Sequence, residues 1–235
     1  MLLTINDKPI KRVAIVNDNN AAREEMAENL FEAGLEPIIQ KARLSSIDEC
    51  ITNVTSKAEA AILEHHLKSG NYENFMGAEA VAMLYRQHFP SLLVTAWADA
   101  DIDNIRWFRR YIPVLIKSRD AYPETITLGI KQCINEFEKQ YAPDRKPWRT
   151  LVEIEEVNRD SKPPMVYVLI PGWEPDEVVR FPLVIFPENL QQFVVPDAHF
   201  FAKVNIGAAH YNELYFENFE AAEKPRGKYA KFLRS

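Results

Sequence analysis

The stretch AAILEHHLKSG, Ala60–Gly70, runs from four apolar residues into a carboxylate and two histidines. An apolar run of that length without polar alternation reads as a strand buried on both faces. The same reading extends outward in both directions. RVAIV (Arg12–Val16) is a short strand closed by NDNN, and AAREEMAENLFEAG is a helix whose Ala22, Met26, Leu30 and Ala33 share one face, with Gly34 at its C-cap. EPIIQ is the second strand. SSIDECITNV opens a helix at Ser46, three residues before Glu49, which is the capping-box spacing. After AAIL come the helix GAEAVAMLYRQH, the strand SLLVTAWA, the helix DIDNIRWFRRY with acids in its first turn, the strand IPVLIKS, and a last helix starting at Pro123. A strand–helix unit repeated in this way predicts a doubly wound parallel α/β sheet of flavodoxin-like (βα)5 type over residues 11–140, with right-handed crossovers.

YAPDRKP, residues 141–147, reads as a linker. Beyond it the pattern changes. RTLVEIEEV, PMVYVLIPG, EVVRFPLVIF, FFAKVNIG and ELYFENF are short, rich in Val, Ile and aromatics, and separated by turn residues. They predict a small antiparallel β-rich, barrel-like domain over 148–220, with PENLQQF as one helical turn. Residues 221–235 read as a flexible tail whose Lys224, Arg226, Lys228, Lys231 and Arg234 are basic.

The formal net charge is −6, which counts against nucleic acid as a partner. Cys50 and Cys133 are the only cysteines, too few for a disulfide framework or a thiolate zinc site. The N-terminus lacks the apolar core of a signal peptide, and no apolar run approaches the ~18 residues that span a bilayer. A soluble cytoplasmic protein without a membrane partner is the expectation. No G-x-S-x-G elbow and no glycine-rich phosphate loop occurs, so hydrolase and nucleotide chemistry have no support.

In a parallel α/β sheet, functional groups gather at the carboxyl ends of the strands. That rule selects Asn17 and Asp18 after the first strand, Glu64 after the third, Thr95 at the end of the fourth, and Lys117 after the fifth. These residues, in this order, resemble the receiver domains of two-component response regulators. Such receivers carry an acidic pair, a phosphorylated Asp, a Thr or Ser, and a Lys at these places. Gly77 in FMGAEAV resembles the glycine opening their third helix, after an insertion, KSGNYENF. The departures are Asn17 for the first acid and Glu64 for the phospho-acceptor. Asn17 removes a negative charge from the Mg²⁺ cage that receiver phosphorylation needs, and Mg²⁺ tolerates few changes to its oxygen shell. Glu64 reaches about 1.5 Å further than Asp, by one carbon–carbon bond. It would fill the phosphoryl position, pairing with Lys117 and accepting from Thr95.

The resemblance therefore implies a pseudo-receiver: a non-enzymatic signalling protein of bacterial type that acts through protein–protein contacts, with a histidine kinase or another signalling complex as partner. Two alternatives stay open. One is a phosphorylation-competent response regulator of an ordinary phosphorelay with a β-rich output domain. The other is a nucleic-acid-associated regulator using the β domain and the basic tail. An inert rim held by ion pairs is the bland reading of the same residues. No cofactor is expected beyond Mg²⁺ on Asp18 and Glu64. Trp97, Trp107, Arg106 and Arg110 lie on the side that receivers use for docking and for homodimers. His65 and His66, as neighbours on an extended chain, point to opposite faces and need not converge, and a surface or packing role is expected for them rather than zinc. His199 and His210 have no ligand-like spacing, and Trp173 is expected to cap the β domain.

Overall fold

The computed structural model describes residues 4–5, 8–41, 44–67 and 75–222. Most of the KSGNYENF insertion and the basic cluster of the tail lie outside the described residues. The chain separates into two compact units, 1–142 and 143–235.

After a two-residue ladder of Thr4–Ile5 with Lys8–Pro9, the first unit runs β1 (Arg12–Val16), α1 (Asn20–Glu32), β2 (Glu36–Ile39), α2 (Ile47–Lys57), β3 (Ala60–Leu63), α3 (Gly77–Arg86), β4 (Ser91–Thr95), α4 (Ile102–Arg106), β5 (Leu115–Lys117) and α5 (Pro123–Phe137). The five strands form a parallel sheet in the order β2-β1-β3-β4-β5. This is the flavodoxin-like order, whose direction reverses between β1 and β3.

The apolar runs become strands because both faces are covered. Alternate residues of β1, β3 and β4 enter opposite cores. Ala14, Val16, Ala61, Leu63 and Leu93 pack with Cys50, Val54, Val81 and Leu84 of α2 and α3. Val13, Ile15, Ala60, Ile62, Leu92 and Val94 pack with Leu30, Ile126, Ile130 and Cys133 of α1 and α5. Both cysteines are buried, and burial pushes the Cys50 thiol up to about 12, which removes it as a nucleophile.

Local signals set the helix ends. Asn19 accepts from the Ala22 amide and Ser46 from the Glu49 amide. The Glu49 carboxylate reaches back to the Ser45 amide and hydroxyl, one residue earlier than a strict capping box would place it. Gly34, at φ +75°, ends α1 in the left-handed conformation. The fourth helix is much shorter than its sequence suggests. The chain turns through residues 96–101 first, and a 3-10 turn at Arg109–Tyr111 follows.

The second unit is an antiparallel sheet of β6 (Trp148–Asn158), β7 (Met165–Ile170), β8 (Glu174–Pro182), β9 (His199–Val204) and β10 (Phe216–Ala221), with the short helix α6 (Glu188–Gln191). Its strand order is β8-β7-β6-β9-β10. β8 and β10 are edges among the described residues, so the barrel-like expectation reduces to an open sheet. Phe181, Phe186, Phe200, Phe216 and Phe219 fill its core, and the Trp173 indole donates to the Ala208 carbonyl at 2.8 Å.

Part of the segment expected as a linker is built into this unit. Arg145 is buried, its guanidinium 4.7 Å from the Tyr215 ring centroid, and the Tyr215 hydroxyl donates to the Arg145 carbonyl. Buried Asn205 donates to the carbonyls of Asp144 and Glu213 and accepts from the Tyr215 amide.

Candidate functional site

Register brings the rim together. Val16 pairs with Leu63 and Thr95 with Lys117, so Asn17 and Glu64 leave adjacent strands at one level, at the point where the strand order reverses. The Glu64 amide donates to the Val16 carbonyl at 2.9 Å and fixes that level.

Glu64 is half-buried and well satisfied. Its Oε1 accepts from the Thr95 hydroxyl at 2.5 Å, from the His65 amide at 2.8 Å and from the His66 amide at 3.4 Å. Thr95, fully buried, also accepts from the Trp97 amide at 3.1 Å. The expected contact with Thr95 is therefore present. The expected pair with Lys117 is not. Lys117 Nζ reaches Asp99 Oδ2 at 2.5 Å, in an exposed pair of the kind worth under about 1 kcal/mol. Asp99 lies in the turn before α4, and a lysine finds it with little loss of hydration.

The Glu64 carboxyl is pushed above its ordinary 4.5, first by burial and to a smaller extent by the Asp18 charge, while its three donors pull the other way. A raised carboxyl pKa means that the fold favours the protonated form. This contribution to stability is full below the unfolded pKa of about 4.3 and is lost as pH rises through the folded value. Glu64→Gln keeps an acceptor for Thr95 and removes the charge. In chelator-containing buffer it is expected to raise the melting temperature at pH 7–8. The difference should close below about pH 4. Equal melting curves for the two proteins at pH 8 would contradict this account.

The rim does not fit the Mg²⁺ expected on Asp18 and Glu64. Asn17 Oδ1 accepts from the Asn19 amide at 2.8 Å. The Arg23 guanidinium folds back to donate to the Asn17 carbonyl at 2.6 Å and to the Asn20 side chain, which sets a cation beside the oxygens. With Glu64 Oε1 committed to three donors, the oxygen shell Mg²⁺ demands is not assembled.

The docking residues divide. Trp97 and Trp107 are about half exposed, whereas Arg106 is buried and so cannot present a surface contact. Arg110 turns inward to Glu136, 3.2 Å away. Of the aromatic side chains of IRWFRRY, Trp107 is about half exposed, whereas Phe108 packs against the core and Tyr111 is partly buried.

The two histidines also depart from expectation. The chain bends immediately after Leu63, so the alternation of an extended strand no longer applies. His65 is fully buried with Nε2 2.8 Å from Asp101 Oδ2, and His66 Nε2 lies 3.2 Å from the same oxygen. The rings meet edge to face with centroids 4.8 Å apart, and Trp97 packs against His66 at 5.5 Å. Asp99 and Asp101 escape a reading by periodicity. Asp99 falls between the expected strand and helix and Asp101 opens the expected helix, whereas both acids lie in the turn that follows β4, and the helix begins at Ile102.

Searches of sequence-family profiles and of curated protein sequences return no match. Among solved structures, similar chains include a response regulator receiver domain protein from Clostridium thermocellum, 12% identical, covering 55% of this chain and 98% of that one at a TM-score of 0.43. A receiver domain protein from Methanospirillum hungatei is 20% identical, covers 56% and 98%, and has a TM-score of 0.42. A response regulator described as putative, from Chloroflexus aurantiacus, is 15% identical, covers 53% and 98%, and has a TM-score of 0.41. Over 55% of its length the chain is thus similar to response regulator receiver domains, and the remainder forms a separate antiparallel β domain.

Proposed function

We propose that this chain is a non-enzymatic signalling protein whose first unit is a pseudo-receiver. In this reading Glu64 stands permanently where a receiver carries its phosphorylatable Asp. The observation that supports it best is the closure of Thr95 and two backbone amides on Glu64 Oε1. A hydroxyl and amides at the end of β3 and β4 are donors suited to an anionic group, and here the side chain itself supplies the anion. Arg23 over the Asn17 carbonyl and the absence of an acid at position 17 both work against the divalent cation that phosphoryl transfer requires. Trp97 and Trp107, each about half exposed, offer aromatic anchors to a protein partner such as a histidine kinase or another signalling component.

The full chain, incubated with acetyl phosphate and Mg²⁺ and weighed intact, should show no gain of a phosphoryl group. A typical receiver domain treated in parallel should gain one. A phosphoryl adduct mapped to Glu64, Asp18 or another rim residue would overturn the proposal and restore a phosphorylation-competent regulator.

A further inference from the structure

We propose that His65, His66 and Asp101 form a binding site for a divalent transition cation of the zinc class. The His65 and His66 Nε2 atoms approach one carboxylate oxygen, Asp101 Oδ2, at 2.8 and 3.2 Å, and the three ligand atoms all lie within 4.8 Å of one another. A tetrahedral zinc with bonds of about 2.0–2.1 Å sets its ligand atoms about 3.3 Å apart. The nitrogen–oxygen separations lie at or a few tenths of an ångström under that value, within the adjustment of the partly exposed His66 and Asp101 side chains.

The surroundings are those of a prepared site. His65 is buried, so its ring has no freedom to swing away. Asp101 Oδ1 accepts from the Asn104 side chain, which orients the carboxylate and leaves Oδ2 for the centre. Trp97 walls His66 on its outer side. The Gly77 amide donates to the His65 carbonyl at 2.8 Å and fixes the backbone from which the buried ring projects. Two imidazoles and one carboxylate suit zinc, cobalt or nickel far better than Mg²⁺ or Ca²⁺, which prefer all-oxygen shells. His66 and Asp101 are partly solvent-exposed, so a fourth position is open to water or to a donor from a bound partner. The ligand set adjoins Glu64 through the His65 and His66 amides but does not include its carboxyl, so the proposal stands whether or not the pseudo-receiver reading does.

Zinc chloride titrated calorimetrically into metal-stripped full-length chain should bind one ion per chain. His66→Ala and Asp101→Asn should each weaken binding at least tenfold, whereas the His199→Ala/His210→Ala double variant should bind like the parent. Cobalt in place of zinc should give visible d–d absorption in the parent and lose it in His66→Ala. His66 is partly exposed and Asp101→Asn keeps the shape of its side chain, so neither variant relies on the buried ring for folding. A parent that binds zinc no better than Asp101→Asn, or variants that titrate like the parent, would show that the three side chains are only a hydrogen-bonded cluster.

Discussion

Gly77→Ala is expected to lower the stability of the first unit by about 3 kcal/mol or more, at the upper end of what overpacking costs. A Cβ at Gly77 would sit 1.8 Å from the Glu64 carbonyl oxygen, 2.7 Å from its carbon and 3.1 Å from the His65 Cα. All three are backbone atoms at the end of a central strand, so no side chain can swing aside. Either α3 must lift off β3, breaking the 2.8 Å bond from the Gly77 amide to the His65 carbonyl, or the strand end must move. Both responses displace Glu64 and the histidines. A chain of this length loses roughly 2–4 °C per kcal/mol, so calorimetry should find the melting temperature of the unit about 6–12 °C lower. Gly34→Ala is the comparison. Nothing lies within 4 Å of its added Cβ, and the only penalty is the left-handed φ of +75°, about 1 kcal/mol. A Gly77→Ala protein that melts within 2 °C of the parent would show that the close approach does not restrain α3.

The two glycines also mark how far the sequence can be read. Gly34 is legible because a conformational need follows from its place at a helix end. The need for Gly77 comes from the closeness of a strand that precedes it by an insertion, and no local pattern encodes that distance. The strands and the positions of Asn17, Glu64, Thr95 and Lys117 were legible for a related reason. Apolar runs of a few residues locate strand ends, and a parallel sheet converts strand ends into a shared rim. What stays hidden depends on turn geometry. The Lys117 side chain chooses Asp99 over Glu64, and His65 and His66 converge on Asp101, because residues 96–101 form a turn whose course no periodic pattern describes. Where a helix begins to within a few residues is the least determined feature of such a pattern. Here the turn ahead of that helix sets where Asp99 and Asp101 lie, and with them the partners of Lys117 and of the two histidines.

The second large effect is expected at Arg110. Arg110→Met should cost about 3 kcal/mol, and adding Glu136→Leu should recover most of it. Glu136 is almost wholly buried on α5, and its Oε1 lies 3.2 Å from both the Arg110 guanidinium and the Tyr85 hydroxyl. Arg110 also donates to Tyr85 and Tyr141, and its guanidinium lies 5.7–5.9 Å from the ring centroids of Tyr85, Tyr111 and Tyr141. Burial and the neighbouring Glu136 charge hold the Tyr85 hydroxyl up at about 12, so it donates to the carboxylate instead of ionising. Removing the arginine alone takes from the buried carboxylate a cation that it faces at 3.2 Å, and breaking a buried pair in this way costs about 3–5 kcal/mol. Removing both charges leaves a gap that methionine and leucine fill, with the loss of the hydrogen bonds to the Tyr85 and Tyr141 hydroxyls. The double variant should therefore melt well above Arg110→Met, with a coupling energy of about 2 kcal/mol in the cycle. An exposed docking arginine would behave differently: its loss would shift the melting temperature by no more than a degree or two, and Glu136→Leu would not rescue it. The cycle thus separates an interior strut joining the 3-10 turn after α4 to α5 from a surface group held ready for a partner. The structure places Arg110 with the first, whereas Trp97 and Trp107 are about half exposed.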